Sequence, residues 1–366
     1  MKTRAAILVE LGRPLELVDL DVPALKPGQV LVEIAHSGVC HTQVLEARGH
    51  RGEDRFLPHC LGHEGSGVVR EIGAGVSKVR AGDRVILSWI KGAGADVPGT
   101  TYAWNGRTVN AGGVTTFSDL AVVSENRLTL LPGGVAMRAA ALLGCAIPTG
   151  VGAVLNAGRA LPGQSAVIFG CGGVGLCAVI GAVVAGCTPI VAVDLRAEKL
   201  NIAKRAGATH VVNAATETIQ ERLKQICPAG FDLAIEATGR PAVMKQALEC
   251  VRPRGGVAVV IGNARFGEQL EIDPQQLNQG KRLLGTWGGD CVPDRDYPRF
   301  ANLLRDAHLD WSPIIGGTEN RFTLDKVNDA LDELESARLV RPILDIRAAS
   351  HLELAETPCV ETGRSA

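Results

Sequence analysis

The sequence lacks the features of a nucleic-acid or membrane protein. Its 38 Lys and Arg are balanced by 39 Asp and Glu, and it contains no basic run, which argues against a nucleic-acid partner. The longest apolar stretch, residues 174–187, contains three glycines and is too short to span a bilayer. The N-terminal apolar run ends at Glu10, before the apolar core of a signal peptide would be complete. We therefore expect a cytoplasmic protein with neither a nucleic-acid nor a membrane partner.

The ten cysteines form no C-x-x-C pair, so neither a disulfide framework nor a zinc ribbon is expected. Aromatic residues are scarce, at 4% of the chain, whereas glycine occurs 44 times. Such a sequence builds its core from aliphatic side chains and makes many tight turns. The length is sufficient for two domains, each with its own core.

The pattern of apolar residues changes near residue 136. Before that point, short alternating segments punctuated by Gly and Pro predict a β-rich barrel or sandwich. After it, apolar strands alternate with helical segments, which is typical of an α/β fold with a doubly wound parallel sheet. Two further helices and a strand over 341–346 close this part of the chain. Residues 347–366 are polar without a clear period, so a loose extension is expected.

A glycine-rich turn in the second part has the context of a dinucleotide site. Gly170, Gly172 and Gly175 lie between an apolar strand and an apolar helix, whose N-terminus can receive phosphate groups. Asp194 ends the next strand, 19 residues beyond Gly175, where a carboxylate can bind both ribose hydroxyls and repel a 2′-phosphate. This pattern favours NAD over NADP. Arg196, two residues further on, is an argument in the other direction, because an arginine there can accommodate a 2′-phosphate. An ordinary strand–turn–helix unit with a surface aspartate is the alternative interpretation.

Cys40, His63 and Cys145 are candidate metal ligands. Two thiolates, one imidazole and an open fourth position are typical of a catalytic zinc site rather than a structural one. The three residues are far apart in the sequence, however. Their spacing is equally consistent with two buried cysteines and a hydrogen-bonded histidine.

Several motifs occur in the order found in one family. They are the segments 38–42 (GVCHT), 62–69 (GHEGSGVV), 116–123 (TFSDLAVV), 144–154 (GCAIPTGVGAV) and 170–175 (GCGGVG), the last followed by Asp194. In these motifs the chain resembles the zinc-dependent alcohol dehydrogenases of the medium-chain dehydrogenase/reductase superfamily. The similarity extends from about Thr3 to Ile346 and is greatest to the liver-type and formaldehyde-dehydrogenase-like branch.

The resemblance implies a domain organisation. Residues 1–147 and 288–346 would form a GroES-like catalytic domain, and 148–287 would be an inserted Rossmann domain that binds NAD, with 347–366 as a C-terminal extension. Relatives pair the edge strand expected at 282–287 across a two-fold axis. A homodimer or homotetramer is therefore expected.

The resemblance also implies roles for individual residues. Cys40, His63 and Cys145 would hold the zinc, and Glu64 would be an alternative ligand or a carboxylate just beneath the metal. Thr42 would take the proton from the alcohol, and His41 would face the cofactor pyrophosphate. The other residues implied in NAD binding are Thr149, Gly170, Gly172, Gly173, Val174, Gly175, Asp194, Lys199 and Arg341.

The chain departs from the family at three places. Residues 90–106 contain no cysteine, so the four-cysteine structural zinc lobe is missing and a single catalytic zinc per subunit is predicted. Gln43 stands where the family usually has an acidic residue, which should make the zinc more electrophilic. Leu45 replaces a proton-relay histidine, whose role could pass to His41 or to water.

The substrate pocket is predicted from a few positions. Trp89 and Trp287 match residues that wall the pocket in relatives, whereas Ala111 and Gly112 replace bulky ones. Arg51, next to His50, falls at the rim and would admit a polar or anionic substrate. Alternatively, Trp89 belongs to the core and Arg51 to a solvated loop of mixed charge.

The function implied by the resemblance is reversible oxidation of an alcohol to an aldehyde or ketone. A hydride would pass to the nicotinamide from an alkoxide stabilised by zinc. One alternative is an S-hydroxymethylglutathione (formaldehyde) dehydrogenase, and another is a metal-free quinone or enone reductase of the same superfamily. A non-catalytic NAD-binding protein is a fourth possibility, against which the complete ligand set and Thr42 argue.

Overall fold

A computed structural model describes residues 1–346, so the extension predicted for 347–366 lies outside the described residues. Its strands are β1 (Lys2–Leu8), β2 (Glu16–Asp21), β3 (Gln29–Gly38), β4 (His59–Cys60), β5 (Glu64–Ile72), β6 (Arg84–Ser88), β7 (Thr101–Trp104), β8 (Arg107–Asn110), β9 (Leu120–Ser124), β10 (Leu128–Leu130), β11 (Ala166–Phe169), β12 (Ile190–Asp194), β13 (His210–Asn213), β14 (Leu233–Glu236), β15 (Val257–Val260), β16 (Arg282–Gly285), β17 (Arg321–Phe322) and β18 (Ile343–Asp345).

The helices are distributed over both parts of the described chain. They are α1 (His41–Ala47), α2 (Met137–Ala140), α3 (Ala146–Gly152), α4 (Gly173–Val184), α5 (Ala197–Arg205), α6 (Ile219–Ile226), α7 (Pro241–Cys250), α8 (Gln275–Asn278), α9 (Pro293–Leu304), α10 (Ser312–Ile315) and α11 (Val327–Glu335). Short 3₁₀ turns occur at Glu125–Arg127, Ala141–Gly144, Gly288–Asp290, Thr318–Asn320 and Leu324–Lys326, and a π turn at Ala153–Ala157.

The second part of the chain forms a six-stranded parallel sheet in the order β13-β12-β11-β14-β15-β16. Its central strand, β11, is fully buried and wholly apolar, as expected of a parallel strand covered by helices on both faces. The strand order reverses between β11 and β14. Ligands of open parallel sheets bind at such a reversal, outside the carboxyl ends of the strands. The prediction of an α/β fold with a doubly wound sheet is therefore confirmed.

The first part is rich in β-structure, as predicted. Strands β1, β2, β7, β8 and β4 close a small barrel, and a second sheet runs β10-β6-β5-β3-β18-β17 with β9 paired to β3. Strand β18 pairs antiparallel with β3, with Ile343 opposite Gly38. The end of the described chain thus returns to the first part, which places residue 341 beside residues 38–40.

The largest apolar cluster joins the two parts. Ile147 of α3 and Leu176 of α4 pack with Tyr297 and Phe300 of α9, all fully buried. The Tyr297 hydroxyl also lies 2.6 Å from the hydroxyl of Ser88, at the end of β6. Because this cluster is continuous, α3 and the Cys145 that precedes it are held firmly between the sheets.

The β7–β8 hairpin begins within residues 90–106, for which we predicted only the loss of a zinc lobe. Its turn has Asn105 and Gly106 at φ of 50° and 76°, and an Asn-Gly pair is the usual choice for a two-residue hairpin with positive φ at both positions. The hairpin contributes one wall of the cavity beside His63.

Among residues 1–346, no single helix is both long enough and apolar enough to cross a membrane. The bent pair Met137–Gly144 and Ala146–Ala157 reaches the necessary length only when its two halves are counted together.

Candidate active site

The structure brings together the three residues predicted as metal ligands. Cys40 follows β3 and caps α1, His63 immediately precedes β5, and Cys145 lies between a 3₁₀ turn and α3. Their ligand atoms all lie within 4.8 Å of one another. Residues from three distant segments therefore meet because β3, β5 and α3 pack against each other.

The chemistry of this cluster fits zinc. Zinc favours tetrahedral sites of thiolate and imidazole ligands, and three protein ligands leave a fourth position open, as catalytic sites require. Both sulfurs belong to buried residues, and His63 Nε2 is buried without a hydrogen-bond partner in the described chain. Buried polar atoms are rarely left without a partner, so this nitrogen indicates a missing ligand.

The electrostatics of the cluster favour a thiolate at Cys40. The Cys145 thiol donates a hydrogen bond that lowers the pKa of Cys40 well below its ordinary value, and the charge of Arg341 acts in the same direction. The same hydrogen bond raises the pKa of Cys145. Burial opposes charge on His63, but the neighbouring negative charge of Cys40 raises its pKa nevertheless. The arrangement attracts a cation.

Glu64 lies beside the cluster but not among its ligand atoms. One carboxylate oxygen lies 2.8 Å from Nε and 2.6 Å from Nη2 of Arg341, and the other accepts a hydrogen bond of 3.0 Å from the Ala146 N–H. Burial raises the pKa of Glu64, although Arg341 opposes the shift. The role of Glu64 as an alternative ligand or as a carboxylate beneath the metal stays a prediction; in this structure its oxygens are bonded to Arg341 and Ala146.

A role for Arg341 at the cofactor pyrophosphate stays a prediction, and the residue lines the cofactor cleft. It is only 3% exposed, and its Nε donates to Glu64, whereas Nη2 has no hydrogen-bond partner among the described residues although it lies 2.6 Å from the same carboxylate oxygen. The partner of Arg341 within the described chain is therefore a buried carboxylate. Sequence patterns could not reveal this, because the two residues are 277 positions apart.

Gln43 connects two of the candidate ligands. Its Oε1 accepts a hydrogen bond of 2.8 Å from the Cys40 N–H, and its Nε2 lies 2.5 Å from His63 Nδ1. The side chain is buried, so it fixes the orientation of the imidazole without adding a charge.

The predicted dinucleotide turn lines a cleft of about 400 Å³ that also reaches Cys40. Gly170 has a φ of 91°, which a residue with a side chain rarely adopts. A Cβ on Gly175 would lie 1.8 Å from the Gly170 carbonyl oxygen, so the helix can approach the strand only without one. Gly172 faces open space, where a phosphate could approach the backbone. Gly173 and Val174 line the same cleft.

Asp194 lies at the end of β12 in this cleft. Its carboxylate accepts hydrogen bonds of 2.7 Å from the Cys171 N–H and 3.0 Å from the Arg196 N–H. These bonds hold the carboxylate beside the glycine turn. The Arg196 guanidinium instead donates to the carbonyl oxygens of Ser336 and Ala337, at 2.9 and 3.0 Å.

Three other predicted residues lie in the same cleft. His41 and Thr42 begin α1, and Lys199 lies on α5 across from them. Partial burial lowers the pKa of His41, and the charge of Lys199 adds to that effect. Thr149 does not line this cleft. It lies on α3, where its buried hydroxyl has no hydrogen-bond partner in the described part of the chain.

The residues predicted for the substrate pocket are only partly assembled. Trp89 lies next to the cluster, since its backbone N–H donates to the His63 carbonyl at 3.1 Å. Trp287, in contrast, is 81% exposed and lines a small cavity with residues 260–263 at the cofactor end, because the chain leaves the sheet edge there. Arg51 is exposed and pairs with Glu46 at 3.0 Å. The expectation that Trp287 walls the pocket beside His63 is therefore corrected for the single chain.

A second cavity, of about 710 Å³, opens on the other side of the cluster. His63 and Gln43 line it, and so do Ala111 and Gly112, two positions considered for the substrate pocket. Sequence reasoning missed Glu46 and Arg127, which also line it. No local pattern marks either residue, because only the folding of distant loops brings them together.

Comparison with known proteins agrees with this geometry. Residues 26–133 match the family model described as alcohol dehydrogenase GroES-like domain, and residues 173–306 match that of zinc-binding dehydrogenase. An S-(hydroxymethyl)glutathione dehydrogenase of Synechocystis sp. is 33% identical over 94% of this chain and 100% of its own. One from Escherichia coli is 34% identical over the same shares.

A crystal structure of benzyl alcohol dehydrogenase from Acinetobacter calcoaceticus is also similar. Its TM-score is 0.86 at 28% identity, and the match covers 95% of this chain and 100% of that one. The fold thus combines a GroES-like domain with a Rossmann-like domain around a site for zinc. The chain belongs to the zinc-dependent alcohol dehydrogenases of the medium-chain dehydrogenase/reductase superfamily.

Removing one candidate ligand should abolish metal binding. We expect the purified chain to carry one zinc ion, and Cys40→Ala to lose it, because two protein ligands rarely retain zinc. Metal content by mass spectrometry is the measurement. Cys177→Ala, which removes a buried cysteine of α4, is the matched control and should retain the metal. Full zinc in Cys40→Ala, or two zinc ions in the wild type, would contradict the prediction.

Proposed function

We propose that this enzyme oxidises an alcohol with NAD, reversibly, using one catalytic zinc held by Cys40, His63 and Cys145. The observation that carries the proposal is the position of these residues between two spaces. Cys40 borders the cleft of the glycine turn, whereas His63 borders the larger cavity. A cofactor in the cleft and an alcohol in the cavity would meet at the cluster. When bound, zinc supplies a Lewis acid that stabilises negative charge on the alcohol oxygen.

The chain's own residues would handle the proton. Thr42 Oγ1 lies 3.7 Å from Cys40 Sγ, and its side chain borders the cofactor cleft. A hydroxyl in this place can accept a proton from the substrate and pass it outward. His41 precedes Thr42 in the same turn and lines the same cleft, so its imidazole could take the proton onward. The apolar side chain of Leu45 provides no alternative group for proton transfer.

NAD is the proposed cofactor. The Asp194 carboxylate would bind ribose hydroxyls and repel a 2′-phosphate, and Arg196 is already bonded to the carbonyl oxygens of Ser336 and Ala337. The positive N-terminus of α4 and Lys199 would attract the pyrophosphate.

A second candidate is the oxidation of S-hydroxymethylglutathione. The curated relatives that are 33–34% identical carry that name, and the cavity beside His63 is large and partly polar. The metal-free reductase hypothesis is disfavoured, because that chemistry would leave the buried cysteine–histidine cluster without a purpose.

Formation of NADH, followed by absorbance, tests the proposal. The substrate panel contains short, long and aromatic primary alcohols, secondary alcohols and S-hydroxymethylglutathione, each with NAD and with NADP. We expect turnover of aromatic or long primary alcohols with a clear preference for NAD. Preference for the glutathione adduct would favour the second candidate. No turnover of any alcohol by zinc-loaded enzyme would overturn the proposal.

Thr42 gives a sharper test of the proton path. Thr42→Ala should lower kcat by about 100-fold or more, the usual contribution of a positioned proton-transfer group. Thr42→Ser keeps the hydroxyl and should retain most of the activity, and both variants should keep their zinc. Near-normal kcat in Thr42→Ala would show that another group moves the proton.

We also propose that the chain forms a homodimer or homotetramer through the edge of its parallel sheet. Within residues 1–346, strand β16 pairs only with β15, and Leu284, Trp287 and Val292 are exposed around it. An unpaired edge flanked by apolar side chains favours pairing with a second copy. Light scattering should give two or four times the mass of one chain. A monomeric mass would contradict this.

A further inference from the structure

The cavity beside His63 has two walls of different origin. One wall comes from α1 and the loop that leads to His63, and the other from residues 91–114 together with Arg127. At about 710 Å³ the cavity exceeds the needs of a short alcohol and falls within the range of sites for larger ligands. The charged groups on its walls should therefore select among substrates.

The carboxylates that line this cavity all have basic partners. The pairs are Lys91 with Asp96 at 2.7 Å, His59 with Asp54 at 2.7 Å, and Arg51 with Glu46 at 3.0 Å. A paired carboxylate repels an incoming anion less than a free one does, because its partner cancels most of its field.

Arg127 is the exception among the charged residues that line the cavity. Within the described chain no carboxylate lies within 4.0 Å of its guanidinium, whose hydrogen bond goes to the carbonyl oxygen of Trp89. The side chain is about half buried. Burial lowers the pKa of Arg127, and Asp96 acts in the opposite direction. A half-buried guanidinium with most of its donors unused is well suited to bind an anion.

The guanidinium is also held in a defined place relative to the metal cluster. The Trp89 carbonyl accepts the hydrogen bond from Arg127, and the Trp89 backbone N–H donates to the His63 carbonyl at 3.1 Å. A single residue therefore connects Arg127 to a candidate zinc ligand. Gly113 lies against the other side, where a Cβ would be only 2.6 Å from Nη2. Because Gly113 has no side chain, there is room for the guanidinium at this place.

We propose that Arg127 binds a carboxylate at the end of the substrate distant from its hydroxyl, so that the preferred substrates are alcohols that carry a carboxylate. A planar guanidinium can bind both oxygens of a carboxylate at once. The inference rests on the proposed function, since it assumes that the hydroxyl is directed to the cluster. It assigns a substrate class and a specificity-determining residue.

The first test compares two alcohols of similar shape with the wild-type enzyme, 4-(hydroxymethyl)benzoate and 4-methylbenzyl alcohol. We expect kcat/KM for the carboxylate to be about tenfold higher or more, the usual value of a hydrogen bond to a charged group. Turnover of 4-methylbenzyl alcohol without such a preference would overturn the role of Arg127 and leave the proposed function intact. Turnover of no alcohol at all would overturn the proposed function.

Variants then assign the preference to the residue. Arg127→Gln should reduce the ratio of the two kcat/KM values to near unity, whereas Arg127→Lys should retain part of it. Arg107→Gln is the matched control: Arg107 lies on β8 with its guanidinium 5.4 Å from the Trp104 ring, and it does not line the cavity. An unchanged ratio in Arg127→Gln, or an equal loss in Arg107→Gln, would contradict the proposal.

Direct binding provides a measurement independent of turnover. Calorimetric titration of 4-(hydroxymethyl)benzoate is performed with enzyme saturated with NADH, which cannot accept a hydride. The dissociation constant should rise about tenfold in Arg127→Gln and stay unchanged in Arg107→Gln. Equal affinity of the wild type and Arg127→Gln would overturn the proposal even if the variant had lost activity for structural reasons.

Discussion

The buried ion pair between Glu64 and Arg341 is the interaction on which the site depends. Glu64 follows the candidate ligand His63, accepts a hydrogen bond from Ala146 beside the candidate ligand Cys145, and binds Arg341 on the segment that leads into β18. Two charges removed from water are tolerated only as partners, and removal of one from such a pair typically costs about 3–5 kcal/mol. Because the two charges must be in contact, the segment that carries Arg341 packs against the candidate metal cluster.

Close packing around Glu64 also explains why two positions in the sequence motifs are glycines. A Cβ on Gly38 would lie 2.0 Å from Glu64 Oε1, and one on Gly144 would lie 2.8 Å from the Glu64 Cα. Each glycine precedes a candidate ligand cysteine, by two residues and by one. The backbone at Gly38 passes close to the Glu64 carboxylate, and the backbone at Gly144 passes close to the Glu64 Cα and to the Leu87 carbonyl oxygen. The candidate ligand positions and Glu64 therefore form one packing unit.

Much of this was predictable, because it is encoded locally. The turn from Gly170 to Gly175 and the strand that ends at Asp194 follow from short-range patterns, and so does the parallel sheet. Two other elements also have local signals in the sequence. The Asn105-Gly106 pair is typical of the turn in the β7–β8 hairpin, and the apolar spacing of α6 is typical of an amphipathic helix. What sequence reasoning could not give are pairings between distant segments, such as Glu64 with Arg341. The exposure of Trp287 likewise depends on what covers a sheet edge, which a single sequence does not specify.

The cofactor cleft and the cavity beside His63, which meet at the cluster, differ in the charges that border them. The cofactor cleft is bordered by Lys199 and the N-terminus of α4, both positive, as a pyrophosphate requires. The cavity beside His63 instead has paired charges, with Arg127 as its single unpaired cation among the described residues. A dinucleotide and a monoanionic alcohol would thus be directed to different sides of one metal by different fields.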